Sequence, residues 1–184
     1  MSDTSRASFP FLTKATIILS KLGWAHSTDE VGYPIFTQNI NGMAVTILYQ
    51  AFERNGQTDL PILVNGEISE INRIYGYITD SRFQNVTVRK TRLDYAVTQI
   101  SRDLIETVHR DVVQWAAEES AESAIDRIAS TDTVQSEQTI RRICALILQG
   151  DARAFENFLE NIELPAKVTN VMIERANDLI KQGA

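Results

Sequence analysis

The sequence contains very few of the side chains that usually bind metals or perform catalysis. Its 184 residues include one cysteine, Cys144, and two histidines, His26 and His109. A lone cysteine rules out an intrachain disulfide bond and favours a reducing compartment such as the cytoplasm. Of the residue types that bind metals, only Glu106 lies one helical turn from His109. We therefore expect no bound metal and no cofactor.

The sequence also lacks a long apolar run and an excess of basic residues. No apolar segment is long enough to span a bilayer, and the first residues, MSDTSRASFPF, lack the basic start and apolar core of a signal peptide. The net charge of −6 disfavours a surface that neutralises phosphates. We expect a cytoplasmic protein that binds neither membranes nor nucleic acids.

Sequence patterns typical of enzymes are absent as well. The glycines lie at positions expected for turns, and none forms part of a phosphate-binding loop. Cys144 lies on an apolar helical stripe, with no histidine beside it to activate the thiol. Asp29 and Glu30 are neighbours in sequence, so their carboxylates need not face one cleft for acid–base chemistry. The sequence therefore predicts a non-enzymatic protein, with an unrecognised enzyme as a weaker alternative.

The strongest structural signal is a β-hairpin centred on Asn41-Gly42. This dipeptide readily adopts the two positive φ angles of a type I′ turn, and β-favouring residues flank it on both sides. We predict strands near residues 33–40 and 43–50. Alternation along them places Phe36 on one face of the sheet and Ile35 on the other.

Changes in the hydrophobic period along the rest of the first 120 residues predict an α+β fold. A first helix is expected to end at Gly23, a short helix to follow Ser69, and a long helix to follow Ser101. Residues 89–92 are expected to connect the last two strands. The remaining strands are predicted near residues 60–65, 83–88 and 93–99. Together these elements predict an antiparallel sheet of about five strands flanked by helices.

The sequence beyond residue 120 predicts only helices. An Ala/Glu-rich segment either continues the long helix or links it to the next one. Further helices are expected at Ser136 and Asp151, and Pro165 suits the first turn of the last helix. We predict an α+β domain over residues 8–120 and an all-helical C-terminal extension over residues 121–184.

Three segments carry a resemblance to a known family. They are Leu22-Gly23 at the end of the first helix, the hairpin GYPIFTQNINGMAVTIL, and EINRIYGYI at residues 70–78. With the element order, they make roughly residues 9–119 similar to the YbjN family and the related type III secretion chaperone-like fold. The resemblance implies a small, acidic, often dimeric cytoplasmic domain that binds protein segments and has no catalytic residues. The helical extension is a departure from it.

Large apolar side chains give the best indication of function. A small sheet with one long helix has more of them than a single core can bury, so some should face outward. We take the surplus to be Tyr33, Phe36, Tyr49, Val112 and Trp115. They are candidates for a protein-binding surface for a client or for a homodimer. In a competing arrangement, the C-terminal helices cover this surface.

Two charged clusters and one further function class stay open. The basic residues Arg89, Lys90 and Arg92 form either a solvated turn or a docking patch for an acidic partner. The acidic residues near Glu118 form either a solvated helix surface or a contact for a basic partner. A bacterial antitoxin or immunity protein would show the same acidic, non-catalytic composition as a chaperone or adaptor, and gene neighbourhood would separate these classes.

Overall fold

The computed structural model describes residues 9–29, 32–49, 52–54, 57–81, 86–97, 101–132 and 135–183 of the chain. These residues belong to two units. Unit 1 contains the chain up to Gly66 together with Arg89–Glu119, and unit 2 contains Glu67–Val88 and Ser120–Ala184. Residues 67–88 therefore belong with the C-terminal helices, whereas the predicted boundary near residue 120 assigns them to the α+β domain.

The described residues form seven helices and six strands. The helices, in chain order, are α1 (Phe9–Lys21), α2 (Ser69–Thr79), α3 (Arg102–Ala117), α4 (Ala121–Ser130), α5 (Ser136–Gln149), α6 (Ala152–Asn161) and α7 (Asn170–Gln182). The strands are β1 (Ala25–Thr28), β2 (Pro34–Ile40), β3 (Met43–Tyr49), β4 (Phe52–Arg54), β5 (Gln57–Glu67) and β6 (Thr87–Val97).

The strands form one sheet in the order β1-β2-β3-β5-β4, and β6 also pairs with β5. The pairs β1–β2, β2–β3 and β4–β5 are antiparallel. This arrangement confirms the predicted α+β class with an antiparallel sheet and a helical C-terminal part.

Two features of the strand prediction are wrong. The short strands β1 and β4 were not expected, because three or four residues give too little alternation to detect. Residues 89–92 do not connect two strands, because they lie inside the continuous strand β6. The predicted ends of this pair at residues 83–85 and 98–99 lie outside the described residues.

The hairpin between β2 and β3 forms as the sequence predicts. Ile40 pairs with Met43 across a two-residue turn, in which Asn41 has a φ of 50° and Gly42 a φ of 81°. Positive φ angles at both positions match the twist that antiparallel strands require. Asn and Gly tolerate this conformation better than β-branched residues, so the local sequence sets the register of the hairpin.

The core of unit 1 lies between helices α1 and α3 and one face of the sheet. The two helices contact each other, α1 also contacts β1, and α3 contacts β2. Fully buried apolar side chains come from both layers, and they are Ala15 and Leu19 of α1, Val108 and Val112 of α3, and Phe36, Val45 and Ile47 of the sheet. Each large one stabilises the fold by roughly 1.5–3 kcal/mol relative to an exposed position.

Helix α5 is the centre of unit 2. It contacts α2, α4, α6 and α7, and seven of its fourteen residues are buried. Two arginine side chains donate hydrogen bonds to backbone carbonyl groups within the same unit. Arg141 donates to the carbonyl oxygen of Thr87 at 2.9 Å, and Arg175 donates to those of Tyr77 and Ile78 at 3.2 and 3.3 Å. Such bonds help to satisfy backbone acceptors near the start of β6 and in the last turn of α2.

The helix ends are as predicted at some positions and different at others. Ser101 and Asp151 accept hydrogen bonds from backbone amides at the starts of α3 and α6. Ser69 and Ser136, however, are already helical, and the residues before them make no side-chain cap. Pro165 lies in a turn, and α7 begins at Asn170 behind its own cap, Thr169. The Ala/Glu-rich segment forms a separate helix, α4.

Replacing Gly42 with valine should destabilise the protein. A β-branched side chain resists the φ of 81° at this position, and the expected loss is about 1 kcal/mol or more. The free energy of unfolding from urea titration measures it. The matched control is Asn39→Val, which adds the same side chain at an exposed strand position and should leave the midpoint within error. An unchanged midpoint for Gly42→Val would contradict the turn geometry.

Candidate functional site

The β2–β3 pair presents a second sheet face, opposite the core of unit 1. We call Tyr33, Ile35, Thr37, Thr46 and Leu48 the outer face, because the strand register places their side chains on the side away from Phe36. Ile35 lies directly opposite Leu48, and Thr37 lies opposite Thr46. The β-strand side chains of this set are half-buried, and Tyr33, just before β2, is 45% exposed.

This face carries apolar groups beside polar ones. The Ile35–Leu48 pair and the ring of Tyr33 are the apolar part, and the hydroxyls of Thr37 and Thr46 provide hydrogen-bonding groups. The backbone fixes the position of Tyr33, because its amide donates to the Asp29 side chain at 2.7 Å and its carbonyl accepts from the Asp29 amide at 2.9 Å. Tyr33 is therefore held in place just before β2, and the other four residues of the face lie on paired strands.

The sequence predicts five large apolar side chains on an exposed binding surface, and three of them are buried. Phe36 and Val112 are 0% exposed and Tyr49 is 2% exposed. The rings of Phe36 and Tyr49 pack edge to face, with centroids 5.7 Å apart, inside unit 1. The expectation that they face outward is wrong, because α1 and α3 together bury more of the sheet than one long helix would.

The other two residues differ from each other. Tyr33 is exposed and belongs to the outer face, as the sequence predicts. Trp115 is half-buried, and the guanidinium of Arg89 lies 4.5 Å from the centre of its ring. Sequence reasoning assigned the direction of Ile35 but omitted Ile35 and Leu48 from the candidate surface. The alternation of side chains along β2 and β3 that identifies the core-facing residues also places Ile35 and Leu48 on the outer face.

Arg89 has a structural role at the end of α3. Its guanidinium donates to the carbonyl oxygen of Trp115 and to the carboxylate of Glu118, both at 2.5 Å. A second carboxylate, that of Glu119, lies 3.9 Å away. A cation at a helix C-terminus is favourable because it offsets the helix dipole.

Of the predicted basic docking patch, only Lys90 and Arg92 remain on the surface, and Arg92 pairs with Asp94 at 2.8 Å.

His109 also has a structural contact. The indole nitrogen Nε1 of Trp24 donates to Nδ1 of His109 at 3.0 Å, which joins α3 to the short segment between α1 and β1. This bond requires an unprotonated Nδ1. Burial lowers the pKa of His109, and the nearby Glu106 carboxylate opposes that shift. The net lowering of the pKa fits a neutral ring that accepts a hydrogen bond. The other histidine, His26, is exposed on β1, with its ring 5.3 Å from that of Phe36.

Cys144 lies in the core of unit 2. It is 0% exposed, and burial raises the pKa of its thiol. The thiol is therefore in the protonated form, which is a poor nucleophile. Among the described residues, no three histidine, cysteine or carboxylate side chains lie close enough to hold a metal ion. Within the same ranges, none of the helices is both long and apolar enough to cross a membrane.

Comparison with known proteins gives one match. The model of a family of unknown function, DUF6990, matches residues 13–181 and so includes most of both units. No curated protein and no solved structure matches the chain.

Acidification should destabilise unit 1 through His109. Because its pKa is lowered in the folded state, the unfolded chain binds the proton more readily. Stability is therefore fully present above the ordinary histidine pKa of about 6.5 and falls as the pH drops below that value. We expect the urea midpoint to fall more steeply between pH 7 and pH 5 in the wild type than in His109→Gln, whose side-chain oxygen accepts at either pH.

The matched control is His26→Gln at the exposed histidine of β1. This variant should keep the pH dependence of the wild type. Equal slopes for the wild type and His109→Gln would contradict the assigned Trp24–His109 bond.

Proposed function

This chain belongs to the family of unknown function DUF6990, and we propose that it is a non-enzymatic protein-binding module. In this proposal, the outer face of unit 1 binds a protein client or a second copy of the chain. The observation that carries it is the half-buried, partly accessible Ile35–Leu48 pair beside the exposed ring of Tyr33. Exposed apolar groups that form a continuous patch on a rigid sheet are typical of interaction surfaces.

The shape of the outer face favours a protein over a small molecule. A pleated face of short, alternating side chains is nearly flat, and flat surfaces gain affinity by covering area. A specific interface of standard size buries about 800 Å² on each partner. Burial of Tyr33, Ile35 and Leu48 would contribute roughly 1.5–3 kcal/mol for each side chain that becomes fully buried. After the cost of association, a micromolar contact is a reasonable expectation.

The neighbouring edge of the sheet supports the same proposal. Strand β1 lies at one end of the strand order, and all four of its side chains are exposed. Within the described part of the sheet, β2 is its only strand partner. An edge strand can pair with an extended segment of a partner through main-chain hydrogen bonds. A protein partner could thus contact the outer face and the β1 edge together.

The proposed role agrees with the resemblance to YbjN-like and secretion chaperone-like domains, which implies the binding of protein segments. The buried Cys144 and the structurally engaged His109 support binding rather than catalysis, because each is used by the fold. We extend the proposal to a cytoplasmic location, for which the single cysteine is the supporting feature.

A lysine in place of Leu48 should abolish partner binding while the protein stays folded. Leu48 is half-buried on the outer face, so a charge there opposes burial by a partner but can reach solvent in the free protein. We expect the proteins captured from native lysate by the immobilised full-length wild type to be lost with Leu48→Lys. Light scattering on the same variants measures self-association, and circular dichroism verifies the fold.

The control is Gln114→Lys, which adds the same charge at an exposed position of α3, the helix that packs against the opposite face of the sheet. It should bind as the wild type does. Capture that is identical for all three proteins, together with a monomeric wild type at high concentration, would contradict the proposal. Loss of a dimer in Leu48→Lys alone would identify the partner as a second copy.

A further inference from the structure

Unit 2 contains a cavity of about 430 Å³ between helices α2, α5 and the segment that leads into α7. A cavity of this size lies within the usual range of small-molecule sites. Its wall combines apolar side chains, among them Ile140 and Met172, with hydroxyl groups and with two charged residues, Glu137 and Lys167. The proposed protein-binding face lies in unit 1 and shares none of these residues, so the cavity requires its own explanation.

The phenol of Tyr75 is the most informative group in this wall. The residue is 6% exposed and lines the cavity. No described residue forms a hydrogen bond with its hydroxyl. Burial raises the pKa of Tyr75, the Glu137 carboxylate raises it further and the Arg141 guanidinium opposes the shift, and Tyr75 and Glu137 line the same cavity. The hydroxyl is not one of the fully buried polar atoms and opens onto the cavity, so it can donate its hydrogen bond to a ligand there.

The start of α5 supplies further donors at the same place. The first amides of a helix have no partner inside it, and four other helices of this protein use a capping side chain to satisfy one of them. Helix α5 has none, because its N-cap residue, Gln135, makes no side-chain bond. Ser136 and Glu137, in its first turn, line the cavity. A helix start without a cap is a favourable position for an anion.

The charges around the cavity define the kind of anion. Lys167 is exposed at the cavity and makes no ion pair with the described residues. The carboxylate of Glu137 is paired with Arg141 on the same helix, which reduces its repulsion of a ligand. A doubly charged phosphate would still meet this carboxylate and the protein net charge of −6. A singly charged carboxylate meets less repulsion, and Ile140 and Met172 suit an apolar body attached to it.

We propose that this cavity binds a small monocarboxylic acid with an apolar body. The carboxylate lies at the start of α5, where it accepts hydrogen bonds from the helix amides and from the Tyr75 hydroxyl and interacts with the Lys167 ammonium. The apolar body of the ligand lies against Ile140 and Met172. This site is independent of the proposed function, since a protein-binding face in unit 1 could be absent while the cavity binds its ligand.

Isothermal titration of the full-length protein with sodium hexanoate and sodium benzoate tests the proposal. Their neutral amides, hexanamide and benzamide, and inorganic phosphate serve as comparison ligands. We expect at least one carboxylate to bind, with its amide at least tenfold weaker because the amide has no charge for Lys167 and the helix start. Binding of phosphate in preference to both carboxylates, or equal binding of acid and amide, would overturn the proposal. So would the absence of binding by both acids at millimolar concentration.

The Tyr75→Phe variant tests the role of the hydroxyl. Loss of a hydrogen bond to a charged group should weaken carboxylate binding about tenfold or more. The matched control is Tyr77→Phe on the same helix, which changes a 49% exposed tyrosine outside the cavity wall and should bind as the wild type does. Lys167→Gln should weaken binding several-fold and reduce its dependence on salt.

The stability of Tyr75→Phe without ligand gives a second readout. Because the hydroxyl has no partner in the free protein, its removal should leave the melting temperature unchanged or raise it. A clear fall in melting temperature, or carboxylate affinity equal to that of the wild type, would overturn the assigned role.

Discussion

Helices α1 and α3 of unit 1 both pack against the same face of the sheet, and this one-sided packing determines what the unit presents to solvent. A strand alternates its side chains between two faces, so each buried residue on β2 and β3 has neighbours that point the other way. Phe36, Val45 and Ile47 are fully buried. Ile35 and Leu48 therefore point to the opposite face, where both stay partly accessible to solvent. The proposed function follows from this constraint and needs no special residue.

The polar and aromatic contacts of unit 1 support the same arrangement. The Trp24–His109 bond joins the region after α1 to α3, and Arg89 joins the end of α3 to β6. These residues resemble functional candidates in the sequence, because a histidine, a tryptophan and a basic cluster often mark binding sites. Their partners show that the fold uses them. The proposed binding surface consists instead of ordinary β-strand side chains on the outer face.

Features that depend on a short stretch of sequence could be predicted, whereas features that depend on contacts between distant residues could not. The hairpin follows from Asn41-Gly42 and its flanking residues, and the helices follow from apolar residues at helical spacing, so these were predictable. The strand β6 was not, because Arg89 and Arg92 look like a solvated turn until Trp115 and Glu118 are known to contact Arg89. Burial of Phe36 and Tyr49 depends on how two helices share one face, which no short segment encodes.

The cavity of unit 2 is formed by residues that are far apart in the sequence. Tyr75, Glu137 and Lys167 lie on three separate parts of the chain, and nothing in their spacing suggests that they line one space. Tyr75 lies on the apolar stripe of α2, and an aromatic residue at such a position usually belongs to the core. Only the absence of a hydrogen-bond partner for its hydroxyl distinguishes it from such a residue, and this requires the structure.

The most direct test of the account is the accessibility of two neighbouring residues on β3. In a Cys144→Ala background, which has no other cysteine, Leu48→Cys and Ile47→Cys place one thiol on each face of the sheet. The rate of maleimide labelling of the folded full-length protein is then measured. We predict that the thiol at position 48 reacts readily, whereas the thiol at position 47 reacts only when the protein unfolds. Equal protection of both thiols would show that the outer face is covered in the free protein and would contradict its role as a binding surface.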